Sequence, residues 1–153
     1  MVADDKRMSP VEFYFQVQFH WGIRHAAASF MEVSGLNQEM VMQEVSQSGD
    51  DGQKIRLPME VKHGDITLKR PLEPVSDAIT DWVKRCFSFA VDGRITPCTL
   101  VVFLMDARRH AVACWSCDRA YPVKWSLGTL DAKESGLAVE TLTLTYKRLE
   151  RKK

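Results

Sequence analysis

The sequence predicts a mainly β fold, a sandwich or partly open barrel with one helix packed on it. Three observations carry that prediction. From Glu12 to Trp21 the side chains alternate, with Phe13, Phe15, Val17, Phe19 and Trp21 on one face and Tyr14, Gln16, Gln18 and His20 on the other. That is the two-residue period of a half-buried strand. Leu137 to Tyr146 is rich in β-branched, aliphatic and aromatic residues and contains no Gly or Pro. Only one stretch, from Ser76 to about Phe87, repeats its apolar residues at spacings of three and four, the stripe of an amphipathic helix. A chain of 153 residues that is 45% hydrophobic suits one domain with a real core. That domain is expected over 11–149, after a flexible polar start at 1–10 and before a basic end at 150–153.

The remaining elements follow in order. Arg24–Ser29 is an ambiguous connector, Phe30–Ser34 a short strand, and Gly35 a turn or bulge. Gln38–Val45 is extended, with Met40, Met42, Gln38 and Glu44 on one face and Val41 and Val45 on the other. Ser46–Gly52 is the clearest loop signal in the chain and continues through Pro58, which bars a central ladder position nearby. Met59–His63 is extended, and Asp65–Arg70 is a strand with Ile66 and Leu68 facing in. Ser76 is the expected N-cap of the helix, with Asp77 in its first turn. Val75, Ile79, Trp82, Val83, Cys86 and Phe87 form its apolar stripe. Leu100–Met105 reads as a strand buried on both faces, returning through His110–Cys117 as a hairpin that Pro122 ends. The last strand carries Glu140, Leu142, Leu144 and Tyr146 on one face and Val139, Thr141, Thr143 and Thr145 on the other. Neither face is fully polar, so both should meet protein, which suggests assembly.

Chemistry is sparse. A net charge of +1 argues neither for nor against nucleic acid. No apolar run is long enough to span a membrane, and the N-terminus lacks the apolar core of a secretory signal, so synthesis and folding are expected in the cytoplasm. Four cysteines are too few for a disulfide framework at this length. Cys114 and Cys117 have C-x-x-C spacing, which raises a thiol-redox or zinc-binding β-domain as a reading of a different class. Positions three apart in a strand point to opposite faces, however, so ordinary buried thiols are expected. His20, His25, His63 and His110 are scattered singly, and no nucleophile elbow, triad pattern or Gly-rich phosphate loop is present. Asp50-Asp51 lacks the ligand spacing of a calcium loop. The basic residues Arg148, Arg151, Lys152 and Lys153 read as a solvated chain end. No catalytic group, cofactor or metal is expected.

Several stretches together resemble the inner-tube proteins of contractile phage tails and phage-tail-like contractile injection systems, most of all the branch in extracellular injection particles. They are Phe13-Tyr-Phe-Gln-Val; Phe30-Met-Glu-Val-Ser-Gly-Leu36; Leu57-Pro with Val61-Lys and Ile66-Thr-Leu-Lys-Arg70; Ala120-Tyr-Pro-Val-Lys-Trp-Ser126; and Leu130-Asp-Ala132 followed by Val139-Glu-Thr-Leu-Thr-Leu144. Each alone is weak, but the ordered set crosses nearly the whole chain. Pro71 stands where the family usually has Gly, and Trp21–Ala28 has no close counterpart.

The resemblance implies a structural protein with two roughly orthogonal sheets and a packed helix. It implies hexameric rings stacked head to tail into a tube with a lumen for cargo, inside a contractile sheath, with baseplate and tube-terminating proteins as further partners. It implies a subunit that inserts in no membrane, assembly in the cytoplasm, and an extracellular particle after release. It implies a ring-to-ring role for the loop Ser46, Gln47, Ser48, Gly49, Asp50, Asp51, Gly52, Gln53, Lys54, Ile55, Arg56 and Leu57. It also implies strand pairing between ring neighbours, for which Met40, Met42, Glu44, Glu140, Leu142 and Leu144 are the candidates. A tube-initiating baseplate ring and a type VI secretion tube are the close alternatives.

Overall fold

Strand β1 (Tyr14–Trp21) shows how the alternation becomes a core: Val17 and Phe19 are fully buried, while Gln16, Gln18 and His20 stay half-exposed. The computed structural model describes residues 13–46, 52–128 and 138–153. The expected flexible start at 1–10 lies outside these residues. β1 pairs antiparallel with β2 (Arg24–Phe30) on one side and with β7 (Cys98–Met105) on the other. Gly22, at φ +62°, takes the first place of the two-residue turn between β1 and β2, where a positive φ suits glycine. The stretch Arg24–Ser29 is thus a strand and not a connector. Its alanines gave no propensity signal, and pairing with β1 overrode that.

At Met31 the chain bends from β2 into β3 (Glu32–Ser34), which pairs with β6 (Ile66–Pro71) in a second sheet. Gly35 follows at φ +94°, and a Cβ there would come within 2.1 Å of the Asp65 carbonyl oxygen. Only glycine lets these two backbones approach. β6 pairs in turn with β9 (Val139–Thr145).

Strand β8 joins the two sheets. It runs 17 residues, from Ala111 to Leu127. Its first part pairs with β7 and with β10 (Arg148–Arg151), and its last part pairs with β9. Arg119, at φ +52°, sits where the β7 ladder slips between Cys98 and Leu100, and a second slip brackets Pro122 and Lys124. Such irregularities bend a strand, and here they carry β8 from one sheet to the other. Pro122 therefore does not end the arm. The order β2-β1-β7-β8-β9-β6-β3 leaves β2 and β3 as outer strands, so the sheets do not close into a barrel.

The core lies between the sheets and under helix α1 (Ala78–Cys86). Leu100, Val102 and Cys117 come from one sheet, Ile66, Leu68, Leu142 and Leu144 from the other, and Ile79, Trp82, Val83 and Cys86 from the helix. The Trp82 indole N–H donates to the Thr96 carbonyl at 2.7 Å, and the ring meets Phe19 edge-on. The N-cap is Asp77 and not Ser76: its carboxylate accepts from the Thr80 N–H at 3.0 Å. A four-residue helix α2 (Phe89–Asp92) follows, which the sequence pattern is too short to reveal. The C-terminus is not a loose end. β10 is paired, and the Lys152 N–H donates to the Cys114 carbonyl at 2.7 Å. Among the described residues no helix is long and apolar enough to cross a membrane.

One charged network crosses this core. Arg70 on β6 is 2% exposed and Glu140, its partner across the ladder on β9, is 4% exposed. The Arg70 Nε donates to Glu140 Oε1 at 2.6 Å. Its Nη2 donates to Asp77 Oδ2 at 2.7 Å and to Thr80 Oγ1 at 3.0 Å. The Trp125 indole of β8 leans on the other Glu140 oxygen at 3.4 Å. Burial works against ionisation of Asp77, but hydrogen bonds from Arg70 and Thr80 outweigh it and hold the carboxyl below its ordinary range.

Replacing Arg70 by Ala leaves Glu140 buried without its cation, so we expect a loss of about 3–5 kcal/mol in urea denaturation. Arg70→Met combined with Glu140→Leu should cost less than the two single changes added together. Because the Asp77 carboxyl is depressed on folding, its contribution is full above about pH 3.9, its unfolded value. It is lost as pH falls through the lower folded value. Wild-type stability should therefore fall below about pH 4 more steeply than that of Asp77→Asn.

Candidate assembly surfaces

Strands β4 (Glu39–Ser46) and β5 (Lys54–Lys62) pair only with each other, as a two-stranded sheet. Every residue of β5 is exposed, and on β4 only Val41 is half-buried. Lys54–Pro58, expected as loop on account of Pro58, is strand, in keeping with the alternation of Ile55, Leu57, Met59 and Val61. Pro58 is tolerated because the hairpin is all edge. It sits at a bulge: Val41 faces Glu60 and Met42 faces Pro58, which leaves Met59 as the extra residue. The turn residues Gln47, Ser48, Gly49, Asp50 and Asp51 lie outside the described residues.

An isolated two-stranded hairpin is marginal in water. This one also exposes Met40, Met42, Val45, Ile55, Leu57, Met59 and Val61, an apolar set larger than a solvated hairpin needs. Its root is pinned to the body. The Gln38 amide donates to the Leu149 carbonyl at 3.3 Å. The His63 ring stacks on Tyr146 with centroids 3.9 Å apart and 5° between planes, its nitrogens 2.9 Å from the Gly64 carbonyl and 3.1 Å from that of Lys147. The rest of the hairpin finds no core of its own.

The sheet margins are the second surface. β2 is seven residues long, with exposed Ala27 and Ser29 and nothing bulky or charged between Ala26 and Ser29 to block a further strand. By contrast, β9 is an interior strand. It pairs with β6 on one side and β8 on the other, and Glu140, Leu142 and Leu144 are buried in the chain's own core. Those three residues, read from the sequence as candidates for pairing with a neighbour, are therefore not available for it. The Thr face of β9 is half-buried. Met40, Met42 and Glu44 lie on the free hairpin. A third feature is an exposed apolar ridge where α1 and α2 meet β8: Phe87, Phe89 and Val91, with Phe87, expected on the helix's core-facing stripe, instead exposed and stacked on Trp125.

The thiols are structural. Cys117 lies opposite Leu100 in the core, while Cys114 lies opposite Phe103 on the other face of the same strand. Burial pushes the Cys117 thiol up to about 12, with Asp118 adding to the effect, and it raises Cys86, Cys98 and Cys114 as well. Protonated buried thiols are poor nucleophiles. Among the described residues no three His, Cys, Asp or Glu side chains gather as metal ligands.

A family model for the T4-like virus tail tube protein gp19 matches residues 11–150. No curated protein matches the chain. Among solved structures, it is similar to a chain of the anti-feeding prophage (AFP) baseplate at 21% identity and TM-score 0.75, covering 99% of this chain and 97% of that one. It is similar to a chain of the PVC sheath-tube complex, an extracellular contractile injection system in the extended state. There the identity is 19% and the TM-score 0.75, with 99% of each chain covered. Hcp1 from Flavobacterium johnsoniae is more distant, at 13% identity and TM-score 0.51 over 91% of this chain and 94% of that one.

In the isolated subunit, the amides of β4 and β5 should exchange with deuterium far faster than those of β1, β7 and β9, because only one ladder protects them. Hydrogen-exchange mass spectrometry on subunits and on assembled material should show the hairpin gaining the most protection.

Proposed function

We propose a mechanical function for this chain, which belongs to the T4-like virus tail tube protein gp19 family and is a tube subunit of a contractile injection system. The family's role is structural and not enzymatic. The chain forms hexameric rings that stack head to tail, and the stack encloses a lumen through which cargo passes. Sheath, baseplate and tube-terminating proteins are its partners. The AFP baseplate structure was symmetrised six-fold, and chains of similar fold occur in the PVC sheath-tube complex and at its sheath/tube terminator, which supports this reading. Assembly takes place in the cytoplasm, before the particle is released.

The observation that carries the proposal is the hairpin with no core of its own, on a body whose outer strands are open. Head-to-tail rings need two unlike contact patches on each subunit, and repetition closes the ring. The open margin at β2 supplies one patch by extending its sheet into the neighbour. The hairpin residues from Met40 to Glu44 and from Lys54 to Leu57 supply contacts to further copies, and the sequence loop from Ser46 to Gln53 takes part in locking ring to ring. Stiffness comes from repeating the same ladder and the same apolar burial in every ring.

Two experiments test this. Negative-stain microscopy of the purified chain should show rings or tubes; a monodisperse monomer at every concentration would rule the reading out. The second uses the β2 margin. The turn at Gly22 and Ile23 pairs Trp21 with Arg24, so along an alternating ladder His25, Ala27 and Ser29 turn their N–H groups away from β1. Ala27→Pro removes one outward donor and no ladder bond. We expect a folded subunit, destabilised by no more than about 1 kcal/mol, whose ring formation in sedimentation velocity requires at least tenfold higher concentration, about 1.4 kcal/mol per contact.

A further inference from the structure

We infer that His20 and His25 form a two-imidazole site for a divalent transition-metal ion of the zinc, nickel and copper class, on the outer face of the first sheet. The site lies within one chain and needs no second copy. In the sequence the two histidines stand apart, but the turn at Gly22 and Ile23 folds them into direct opposition. Trp21 and Arg24 flank that turn as its hydrogen-bonded pair, so His20 and His25 are the next pair along, without ladder bonds between them. Side chains of opposed residues come closest at such a pair. The two imidazole rings are stacked, with centroids 5.7 Å apart.

That spacing suits one shared ion. A metal held about 2.0–2.1 Å from one nitrogen of each ring, in a tetrahedral arrangement, places the ring centroids roughly 5 Å apart. The observed separation is close to this, so the backbone can stay in place while the exposed His25 ring turns about χ2 to close the pair. His20 is already held. Its Nε2 lies 3.0 Å from Gln18 Oε1. An amide oxygen only accepts, so Nε2 carries the proton and Nδ1 keeps its lone pair for a metal. A hydrogen bond from the other ring nitrogen is how ligating histidines are usually fixed.

The surroundings decide which ion. On this face His20 stands beside Thr99 of β7, and the next rows are Ala27, Gln18 and Val101, then Ser29, Gln16 and Phe103. None of these side chains is charged. Arg24 opposes Trp21 and lies on the other face of the hairpin. No ammonium or guanidinium in these rows repels a cation, and no carboxylate favours calcium or magnesium, which require oxygen ligands. Imidazole suits zinc, nickel and copper. No third His, Cys, Asp or Glu joins the pair among the described residues, so water fills the remaining positions and the ion stays open to a further donor. The other histidines are placed differently. His63 has both nitrogens on carbonyls, and His110 faces Asp106 at 3.9 Å. An ion shared by His20 and His25 ties β1 to the outer strand β2, and so braces a sheet margin that has only one ladder.

The test is a titration of Zn²⁺ and, separately, Ni²⁺ into the purified full-length chain, free of any affinity tag. Calorimetry should show His20→Ala and His25→Ala each lowering the affinity by more than about tenfold, and Gln18→Leu by about tenfold, the cost of losing an outer hydrogen bond to a ligand. His110→Ala should leave it unchanged. Independently of how any variant folds, Zn²⁺ should protect His20 and His25 of the wild-type chain from diethylpyrocarbonate, read residue by residue in mass spectrometry, and leave His110 reactive. Zn²⁺ should also slow amide exchange in β2. Equal losses of affinity in His25→Ala and His110→Ala, or wild-type His20 and His25 that react as fast with Zn²⁺ as without it, would overturn the inference. These readouts do not depend on whether the chain forms rings, so their failure is distinct from a failure of the tube reading.

Discussion

The Arg70 guanidinium holds the body of this subunit together. It sits between the two sheets and the helix, and its three hydrogen bonds reach β9, the helix cap and the first turn of α1. Through Glu140 it also fixes Trp125 of β8. A buried ion pair is seldom a large net gain over a well-packed apolar core, because desolvation offsets the attraction. What it supplies is geometry. Arg70 ties β6 to its ladder partner on β9 and to the start of α1, so its hydrogen bonds favour one register and one helix entry among the alternatives the apolar core would accept.

Against this rigid body the hairpin is the opposite case. It has one ladder, a pinned root and apolar side chains in water. In a monomer such an element would be a liability, since open strands and exposed apolar residues invite indiscriminate pairing. In the proposed assembly the same features are the means of association. The network and core stabilise the body, while the hairpin and the outer edge of β2 find no such support within the chain. A tube that must transmit force needs joints whose strength is renewed at every subunit, and a contact set repeated by symmetry provides that.

Much of the body is legible in the sequence. The aromatic alternation of 13–21, the Ile66 and Leu68 strand and the 3- and 4-spaced stripe of α1 each stand in the sequence as a period; the elements formed, with Ile79, Trp82, Val83 and Cys86 buried, while Phe13, Val75 and Phe87 at their ends are exposed. The opposed faces of Cys114 and Cys117 formed too, as the two-residue repeat requires. Other features were less legible. Arg24–Ser29 has weak strand propensity and is a strand because β1 pairs with it. Lys54–Pro58 contains a proline and reads as loop, but becomes a strand in a ladder that is free on its outer side. Asp77 took the cap from Ser76 because Arg70 and Thr80 converge on its carboxylate.

The sequence by itself determined which face of β1 and β6 is apolar and that the stretch of α1 is helical, because side-chain periods are local and a helix or a strand without a bulge obeys them. It also carried the family, through short stretches kept in order from Phe13 to Leu144. Only the tertiary structure decided which strands are margins and which are interior. Glu140, Leu142 and Leu144 look like any two-faced strand until β6 and β8 are seen on either side of them. Ladder partners are chosen by residues far apart in the chain, and one extra residue at Met59 suffices to move Ile55 and Leu57 to the other face. No local pattern records either choice.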